Sequence, residues 1–310
     1  MGFLGGSDKT LKKRFVKLSK QYIKELKKPD RKIEIVPHHA ALEHEVKQFR
    51  KEVSLSGSKA LLPKGTPKKD ILLARVSEFD SLIERHGLER GSTILLSGGC
   101  GCGKTTFCLQ SLYYGALNNE KGVYICLEED ANKVKKHALN NFGWNFSELE
   151  KKGLIAFLKL DPIEIARNVE ALILKQKEKL VIEITALELP FKPDRIVVDS
   201  LSALAIAFEN TDSYRKYIRY LFEKFEAYET INFVISETEQ EPKVYSRAGI
   251  EEFLADGVIV LYNIKMSNVR QQALEILKLR SSNHQKKIVP FEITNQGIKI
   301  YPDDEIFKGT

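Results

Sequence analysis

The stretch Ser92–Cys108, STILLSGGCGCGKTTFC, decides the fold of this chain. An apolar run at 93–96 enters a turn with four glycines, and an apolar segment follows that turn. The spacing from Gly98 to the GKT triplet at 103–105 matches GxxxxGK[ST], the loop that binds phosphates between a strand and a helix. The stretch therefore predicts a strand, a phosphate-binding loop and a helix, in that order.

Each residue type in this loop has a task. Glycines let the backbone curl with its N–H groups toward a phosphate, and the helix N-terminus adds its positive dipole end. Lys104 is expected to reach the β and γ phosphates as a catalytic residue, and the Thr105 hydroxyl to bind Mg²⁺. A chance match is disfavoured because strand, loop and helix fall where the mechanism requires them. The expected nucleotide-binding residues are Gly98, Gly99, Cys100, Gly101, Cys102, Gly103, Lys104, Thr105 and Thr106.

Asp199 ends the apolar run RIVVD. A carboxylate at the carboxyl end of a strand beside a phosphate loop can hold Mg²⁺. An aspartate that caps the next helix is the alternative. With Lys104 and Thr105 at this sequence distance, Asp199 is the expected second metal residue.

Glu128 and Glu129 end the strand predicted at 122–129, which is the next strand after the phosphate loop. A carboxylate there can orient and deprotonate the water that attacks the γ-phosphate, so both are candidate catalytic residues. Either could instead cap the following helix. Neighbours on a strand face opposite ways, so one of the two should face the nucleotide, and the sequence does not choose between them.

Three further groups are weaker candidates. Ser236–Thr238 closes a later strand, where a hydroxyl could sense the γ-phosphate or simply end the strand. Lys278 and Arg280 point to one side of a strand, and on the residues alone a solvated edge is favoured over an anion clamp. The cysteines of the phosphate loop are expected to pack, with redox control a minor alternative.

Composition limits the class of protein. The 310 residues are 43% hydrophobic, which is enough for a sizeable core, and no apolar run approaches the roughly 20 residues that span a bilayer. The N-terminus lacks a signal-peptide-like apolar segment. All four cysteines lie in or near the nucleotide-binding region rather than in a disulfide framework. A cytoplasmic protein without membrane insertion is expected.

The positive charge is concentrated at the N-terminus. Residues 1–70 hold 18 Lys and Arg against 8 Asp and Glu, whereas the whole chain has a net charge of +7. Helical patterns at 9–28 and 40–53 precede a linker rich in Ser, Gly, Pro and Lys. This basic extension could bind a protein or nucleic-acid partner, although a solvated lysine face is the commoner explanation. The histidines at 38, 39 and 44 do not have the spacing of a metal site.

Strands that alternate with helices from residue 71 predict an α/β domain with a mostly parallel sheet flanked by helices. Residues 161–189 read as one long helix, and antiparallel strands are expected from 256 onward. The expected organisation is a helical extension and linker at 1–70, one ATPase domain at 71–302 and a tail at 303–310.

Together these motifs resemble the RecA superfamily of ATPases, and more closely its KaiC-like branch, which lies near the RadA recombinases. The resemblance covers about residues 71–302. The segments that carry it are SEFDSLI (77–83), GLERGSTILLSGGCGCGKTTF (87–107), YICLEE (124–129), FGWNFSEL (142–149), DRIVVDSLSAL (194–204), RAGIEEFLADGVIVL (247–261) and LEILKLRSSNH (274–284).

The resemblance implies a RecA-like P-loop fold and six-membered rings that bind ATP between subunits. By this likeness Glu128 and Glu129 match a catalytic glutamate pair. Lys278, Arg280 and His284 match a KxRxxxH element that reaches the γ-phosphate of the neighbouring subunit, in the manner of an arginine finger.

The chain departs from the family pattern in places. The usual KMRG reads KLRS at 278–281, and the glycine-rich turn after the FDxL motif reads ERHG at 84–87. Residues 245–256 resemble the half of KaiC that is not a kinase, so self-phosphorylation is not expected.

The favoured hypothesis is an ATPase that hydrolyses ATP slowly with Mg²⁺ at the subunit interfaces of a homo-oligomeric, hexameric ring. One alternative is a nucleotide-dependent scaffold or switch with little turnover. A second is a recombinase-like, DNA-dependent ATPase, which the acidic composition of 237–253 disfavours.

Overall fold

The structure is a computed structural model that describes residues 71–175, 188–240, 242–266, 268–304 and 306. The predictions for the basic extension at 1–70 and for the last four residues lie outside this part of the chain. The domain boundary near residue 70 stays a prediction.

The first half of the described chain contains the phosphate loop between its third strand and first α-helix. A short 3-10 helix at Asp80–Leu82 precedes that strand. The strands are β1 (Ile71–Leu72), β2 (Leu88–Glu89), β3 (Thr93–Gly98), β4 (Gly122–Cys126) and β5 (Ile155–Lys159). The helices are α1 (Lys104–Leu117), α2 (Ala131–Phe142), α3 (Phe146–Lys151) and α4 (Pro162–Leu174).

The second half completes the sheet. Its strands are β6 (Arg195–Asp199), β7 (Ile231–Glu237), β8 (Gly257–Met266), β9 (Val269–Leu279), β10 (Val289–Thr294) and β11 (Gly297–Ile300). Its helices are α5 (Leu201–Ala207), α6 (Thr211–Ala227) and α7 (Glu251–Leu254).

Nine of the strands within the described residues form one sheet in the order β11-β10-β9-β8-β3-β7-β6-β4-β5. The six strands from β8 to β5 are parallel, and β9, β10 and β11 extend the sheet in antiparallel fashion. The small pair β1 and β2 is antiparallel and separate. This mostly parallel sheet with antiparallel C-terminal strands confirms the predicted fold class.

The central strands are buried on both sides, as parallel strands usually are. Helices therefore cover both faces of the sheet. One hydrophobic cluster joins α1, α2 and α3 to one face, and a second cluster joins α4, α5 and α6 to the other. The alternation along β3 divides its side chains between the clusters, since Ile94 and Leu96 belong to the first and Leu95 to the second.

Helix α1 is held in place by aromatic contacts at its first turn. Phe107 is fully buried and makes edge-to-face contacts with Phe79, at 5.2 Å between ring centroids, and with Phe233 of β7, at 5.6 Å. Such pairs add to the area that they bury. The helix that carries Lys104 is therefore fixed against the sheet close to its phosphate-binding end.

Some predictions of local structure need correction. The long helix predicted over 161–189 ends at Leu174, and Glu188 and Leu189 are not helical. The apolar pattern of the helix is interrupted at that point by the polar run KQKEK at 175–179. The run from residue 257 is parallel to β3 and antiparallel only to β9. Helices α5 and α6 lie where no helix is predicted above.

Candidate active site

The phosphate loop lies at the carboxyl end of β3, a central strand with β7 on one side and β8 on the other. Gly98 is the residue at which the loop backbone lies closest to β8, and its φ is +153°. A Cβ there would overlap the carbonyl oxygen of Leu261 and lie 2.6 Å from the Cys102 sulfur. The first glycine of the motif is thus required both by the backbone conformation and by the packing of the loop on β8.

Lys104 begins α1, and its side chain is 7% exposed. Its ammonium donates hydrogen bonds to the carbonyl oxygens of Gly98 at 2.8 Å and Gly99 at 2.9 Å. The positive charge is therefore held inside the curl of the loop, where the backbone N–H groups of a phosphate loop converge.

Thr105 and Asp199, the two residues that the sequence predicts to bind Mg²⁺, are in direct contact. The Thr105 hydroxyl donates to Oδ2 of Asp199 at 2.9 Å. The hydroxyl of Tyr124, on the neighbouring strand β4, donates to the same oxygen at 2.5 Å. Burial raises the pKa of Asp199 above its ordinary value, while the hydrogen bonds from Tyr124 and Thr105 act in the opposite direction.

Asp199 does not cap a helix. Ser200 occupies the N-cap position of α5, and the Asp199 carboxylate faces the phosphate loop instead. The peptide bond between these two residues is cis. The alternative of a capping aspartate is therefore excluded by the direction of the side chain.

Glu128 faces the same side as Asp199. Its Oε1 accepts a hydrogen bond from the Ser200 hydroxyl at 2.8 Å, and its charge contributes to the raised pKa of Asp199. Asp130, not either glutamate, caps α2 by accepting from the backbone N–H groups of Asn132 and Lys133. The capping alternative for the glutamates is thus wrong in this structure.

Glu129 faces the opposite way. Its carboxylate lies 3.0 Å from the ammonium of Lys133, an i,i+4 ion pair in which both side chains are exposed. Lys159, at the end of β5, donates to the backbone carbonyls of both glutamates, at 2.9 Å to Glu128 and 3.2 Å to Glu129. The strand predicted at 122–129 ends at Cys126, so neither glutamate belongs to it. Their side chains nevertheless point apart, and Glu128 is the one next to Ser200 and Asp199.

The end of β7 packs against the loop through its backbone. Thr238 donates its N–H to the Gly98 carbonyl at 3.2 Å, and the Gln240 side-chain amide donates to the Cys100 carbonyl at 3.0 Å. The Ser236 hydroxyl is fully buried and accepts from the backbone N–H of Arg247 at 2.9 Å. Ser236 therefore joins β7 to the following segment and does not face the phosphate loop.

The hairpin of β10 and β11 borders the start of α1. Gly103 has φ at +98°, and a Cβ there would lie 3.0 Å from Cδ1 of Ile293. Gln110 of α1 holds the hairpin by bonding to both the N–H and the carbonyl of Ile298, at 2.6 and 3.1 Å. An apolar side chain thus lies beside the loop on the side of the antiparallel strands.

Lys278 and Arg280 lie at the other end of the sheet. The backbone N–H of Arg280 bonds to the Asp256 carbonyl, and Asp256 in turn bonds to Thr93 at the start of β3. Five residues of strand, about 16 Å at the usual rise, separate that level from Gly98. These two cations therefore cannot contact phosphates bound by the loop of their own chain.

Both cations bind backbone carbonyls around α7. Lys278 donates to Glu252 at 3.0 Å and to Ala255 at 2.6 Å, and Arg280 donates to Phe253 at 3.0 Å. Burial lowers the pKa of Lys278, and the neighbouring charge of Arg280 adds to this effect. Lys278 thus has a structural role in holding α7, which differs from the solvated edge favoured on the residues alone. Arg280 is more exposed than Lys278.

His284 lies just beyond these residues, in an isolated β-bridge with Ile83. Its Nδ1 is buried and has no hydrogen-bond partner within the described part of the chain, and burial together with Lys286 lowers its pKa. The two departures from the family pattern meet here. Arg85 of the ERHG turn donates to the Ser281 carbonyl of KLRS at 3.4 Å.

The cysteines of the loop have different environments. Cys102 is fully buried with its sulfur 3.8 Å from the Lys104 ammonium, and burial raises the pKa of its thiol. This supports the packing interpretation for Cys102. Cys100 is exposed, and all four cysteines are free thiols.

Tyr124, Ser200 and Gln240 were not among the predicted site residues. Ser200 follows Asp199 directly, so its position beside the predicted metal ligand is a signal that the sequence contains. Tyr124 reads as an ordinary apolar position of a buried strand, and Gln240 as part of a polar loop. Their contacts depend on strand order, which no local pattern encodes.

Two negative findings concern the described residues alone. Among them no group of three or more His, Cys, Asp or Glu is placed to hold a metal ion. None of the described helices is long and apolar enough to cross a membrane.

A comparison with protein families finds a match over residues 74–305 to the family described as "ATPase: KaiC". This match covers most of the described chain, including the loop, both glutamates and the Lys278–His284 segment.

Individual proteins agree with this match. The circadian clock oscillator protein KaiC of Parathermosynechococcus lividus is 31% identical over 244 residues, which are 77% of this chain and 43% of that protein. The KaiC of Thermostichus vulcanus is 32% identical over 232 residues, 73% of this chain and 43% of that protein. The chain therefore spans less than half the length of these curated relatives.

A solved structure matches over nearly its full length. The crystal structure of a KaiC-like protein from the hyperthermophilic archaeon Pyrococcus horikoshii OT3 has 32% sequence identity and a TM-score of 0.62. The match covers 75% of this chain and 99% of that one.

Proposed function

This chain belongs to the KaiC family of RecA-like P-loop ATPases, and on that premise we propose that it binds ATP with Mg²⁺ and hydrolyses it slowly between the subunits of a hexameric homo-oligomer. The family membership comes from the comparisons, whereas ATP hydrolysis, the Mg²⁺ ion and the hexameric ring are proposed. Its single strongest support is the convergence of Lys104, Thr105, Asp199 and Glu128 at the carboxyl end of the sheet.

The loop 98–103 and Lys104 bind the phosphates. The ammonium of Lys104 now bonds to the Gly98 and Gly99 carbonyls, and it exchanges these two neutral acceptors for phosphate oxygens when ATP binds. The helix dipole of α1 adds a favourable interaction with the negative charge. Ile293, which is 36% exposed beside Gly103, provides an apolar surface next to the nucleotide.

The donor set suits Mg²⁺. Hydroxyl and carboxylate oxygens are the ligands that this hard ion prefers, and it usually takes only one or two protein ligands together with phosphate oxygens and water. Thr105 and Asp199 would hold it. When bound, the ion neutralises charge that develops on the phosphates.

Glu128 is the base that prepares the attacking water. Its carboxylate is oriented by the hydroxyl of Ser200, the residue next to Asp199. A carboxylate held in this way can accept the proton of a water aligned with the γ-phosphate. Glu129 supports the segment through Lys133 and does not take part in proton transfer.

Arg280 acts on the neighbouring subunit, with Lys278 and His284 beside it. We infer this from their position, because Lys278 and Arg280 lie at the end of the sheet that is remote from the phosphate loop of the same chain. A head-to-tail ring places one end of each subunit against the other end of the next, which is the geometry that a finger supplied in trans requires.

The experiment that tests the proposal is a phosphate-release assay with ATP in Mg²⁺ and in excess EDTA, run on the wild type and on Lys104→Ala. Turnover that requires both Mg²⁺ and Lys104 supports it. The proposal fails if the purified wild type neither binds nor hydrolyses ATP, or if the activity persists in Lys104→Ala.

The cellular setting is also proposed. Free thiols at all four cysteines suit the reducing cytosol. The basic segment at 1–70 remains the predicted contact for an anionic protein or nucleic-acid partner. Binding that weakens steeply with salt and disappears when residues 1–70 are deleted would support this role.

A further inference from the structure

The phenol of Tyr124 extends into the metal side of the proposed site from inside the sheet. Tyr124 lies in β4 opposite Val197 of β6, two residues before the pair formed by Cys126 and Asp199. Its side chain is 1% exposed, and its ring packs on Phe157 with 5.1 Å between centroids. The ring is therefore held in the core against Phe157 while its hydroxyl reaches Asp199.

The hydroxyl of Tyr124 and that of Thr105 donate to the same oxygen, Oδ2 of Asp199, at 2.5 and 2.9 Å. An ionised carboxylate can accept about four hydrogen bonds, two on each oxygen. Two donors on Oδ2 fix the plane of the carboxylate and direct Oδ1 to other partners. Groups that orient a metal ligand in this way contribute to metal affinity without touching the ion.

We propose that Tyr124 is a positioning residue for the divalent cation, which holds the Asp199 carboxylate in the orientation that binds the metal of a nucleotide complex. The inference rests on the proposed function, since it names a further residue of the same site. It goes beyond the phosphate-loop motif, because a buried aromatic residue in the middle of a strand is not part of that pattern.

A simpler explanation is that the phenol only satisfies a buried carboxylate. The same chain contains such a pair away from the loop, where the buried Tyr214 of α6 donates to Glu251 at 2.7 Å. Tyr214→Phe removes an equivalent hydrogen bond and is therefore the matched control for Tyr124→Phe. Phenylalanine keeps the ring contacts in both cases.

The test measures cation binding without turnover. Full-length wild type, Tyr124→Phe and Tyr214→Phe are loaded with a non-hydrolysable imido analogue of ATP, and Mn²⁺ is titrated while the signal of the free ion is followed by electron paramagnetic resonance. We expect Tyr124→Phe to weaken Mn²⁺ binding by about tenfold, in the range usual for partners of metal ligands. Tyr214→Phe is expected to match the wild type. Binding of the analogue in EDTA should be the same in all three proteins.

A second comparison shows whether Tyr124 acts through Asp199. In an Asp199→Asn background, Tyr124→Phe should cause no further loss of Mn²⁺ affinity, because the group that it orients has been replaced. An equal loss in both backgrounds would contradict the proposed route.

The outcomes separate this inference from the proposed function. If wild type binds the analogue and Mn²⁺ while Tyr124→Phe binds Mn²⁺ equally well, the inference is wrong and the proposed function is unaffected. If Tyr214→Phe weakens Mn²⁺ binding as much as Tyr124→Phe does, the effect is one of general stability and the inference is again wrong. If wild type binds neither ligand, the proposed function itself fails.

Discussion

At the scale of single residues, the two adjacent glutamates Glu128 and Glu129 have different surroundings. Glu128 bonds to Ser200 beside Asp199, whereas Glu129 pairs with Lys133 on the surface. The sequence leaves the choice of base open, and the direction of the side chains favours Glu128. Both residues lie beyond the end of β4 at Cys126, so the difference arises from the separate side-chain contacts of this segment rather than from strand pairing.

The first prediction compares Glu128→Gln with Glu129→Gln. Loss of the general base in Glu128→Gln should lower the maximal ATP turnover by about 10²-fold or more. Glu129→Gln removes an exposed ion pair worth less than about 1 kcal/mol and should change turnover little. Steady-state phosphate release checks both, with nucleotide affinity measured alongside. Equal losses in the two variants would mean that the glutamates act as a pair.

The second prediction concerns the pH dependence of stability. Burial raises the pKa of Asp199, so its ionised form is less favourable in the folded chain than in the unfolded chain. The stabilising contribution of the protonated group is complete below the ordinary pKa of about 4, and it is lost as the pH rises through the higher folded-state pKa. Asp199→Asn has no carboxyl group to ionise, so its stability does not fall with pH for this reason. Relative to wild type, it should become more stable as the pH increases from about 4 toward neutrality.

Urea unfolding of the metal-free and nucleotide-free proteins at several pH values measures this difference. The same variant should also lose the stabilisation that bound ATP and Mg²⁺ give to wild type. A functional group that lowers the stability of the unliganded chain is expected to show both effects. If the stability difference between Asp199→Asn and wild type is the same at every pH, burial does not disfavour the ionised form of Asp199 in the folded chain.

At the scale of elements, the phosphate loop depends on how tightly it packs against β8. Gly98 has no space for a Cβ because the Leu261 carbonyl and the Cys102 sulfur are adjacent. Gly101, in the same loop, has φ at +73°, and no atom of the described residues beyond its chain neighbours lies within 4 Å of the point that a Cβ would occupy. One loop thus contains a glycine required by packing and another required only by its backbone conformation.

The third prediction uses this contrast. Gly98→Ala should destabilise the nucleotide-free chain by about 3 kcal/mol through overpacking, in addition to its backbone strain. Gly101→Ala should cost about 1–2 kcal/mol, the strain of a left-handed residue alone. Denaturant unfolding gives both values. If the two variants are equally stable, the contact between the loop and β8 does not constrain the loop.

The elements also show how much of this fold the sequence predicts. The strand, loop and helix around 92–108 are predicted closely because glycine spacing and apolar runs are local properties. Helix α6 has a clear stripe in Tyr217, Ile218, Leu221 and Phe225, all buried, and could have been found by the same count. The contact of Tyr124 with Asp199 could not, since it requires β4 and β6 to be neighbours, and pairing between distant segments is set by tertiary packing.

At the scale of the whole molecule, the sheet has functional candidates at both of its ends. The loop and Glu128 lie at the carboxyl ends of the parallel strands, and Arg280 lies at the level of Thr93, where those strands begin. If Arg280 belongs to the proposed site, that site is complete only where another copy brings its Arg280 to the loop. This arrangement is the physical reason to expect cooperation between subunits.

Arg280 is the better residue for a test of that cooperation. Lys278 is partly buried and holds two carbonyls near α7, so its replacement would also affect stability. Arg280 has a side chain that is 54% exposed, and its pair with Asp256 at 3.4 Å is long. An exposed pair of this kind contributes little to stability.

The fourth prediction is rescue by mixing. Arg280→Ala alone should lower turnover by about 10³-fold if its guanidinium stabilises the transition state in trans, and Lys104→Ala should be inactive. In an equimolar mixed ring, about a quarter of the interfaces combine an intact Lys104 with an intact Arg280 from the neighbour, and turnover should recover to about that fraction of wild type. Mixing Arg280→Ala with the double variant Lys104→Ala/Arg280→Ala restores no intact interface and serves as the control. Absence of rescue in rings shown to exchange subunits would mean that each chain hydrolyses ATP with its own residues, and Arg280 would then serve only to hold the end of α7.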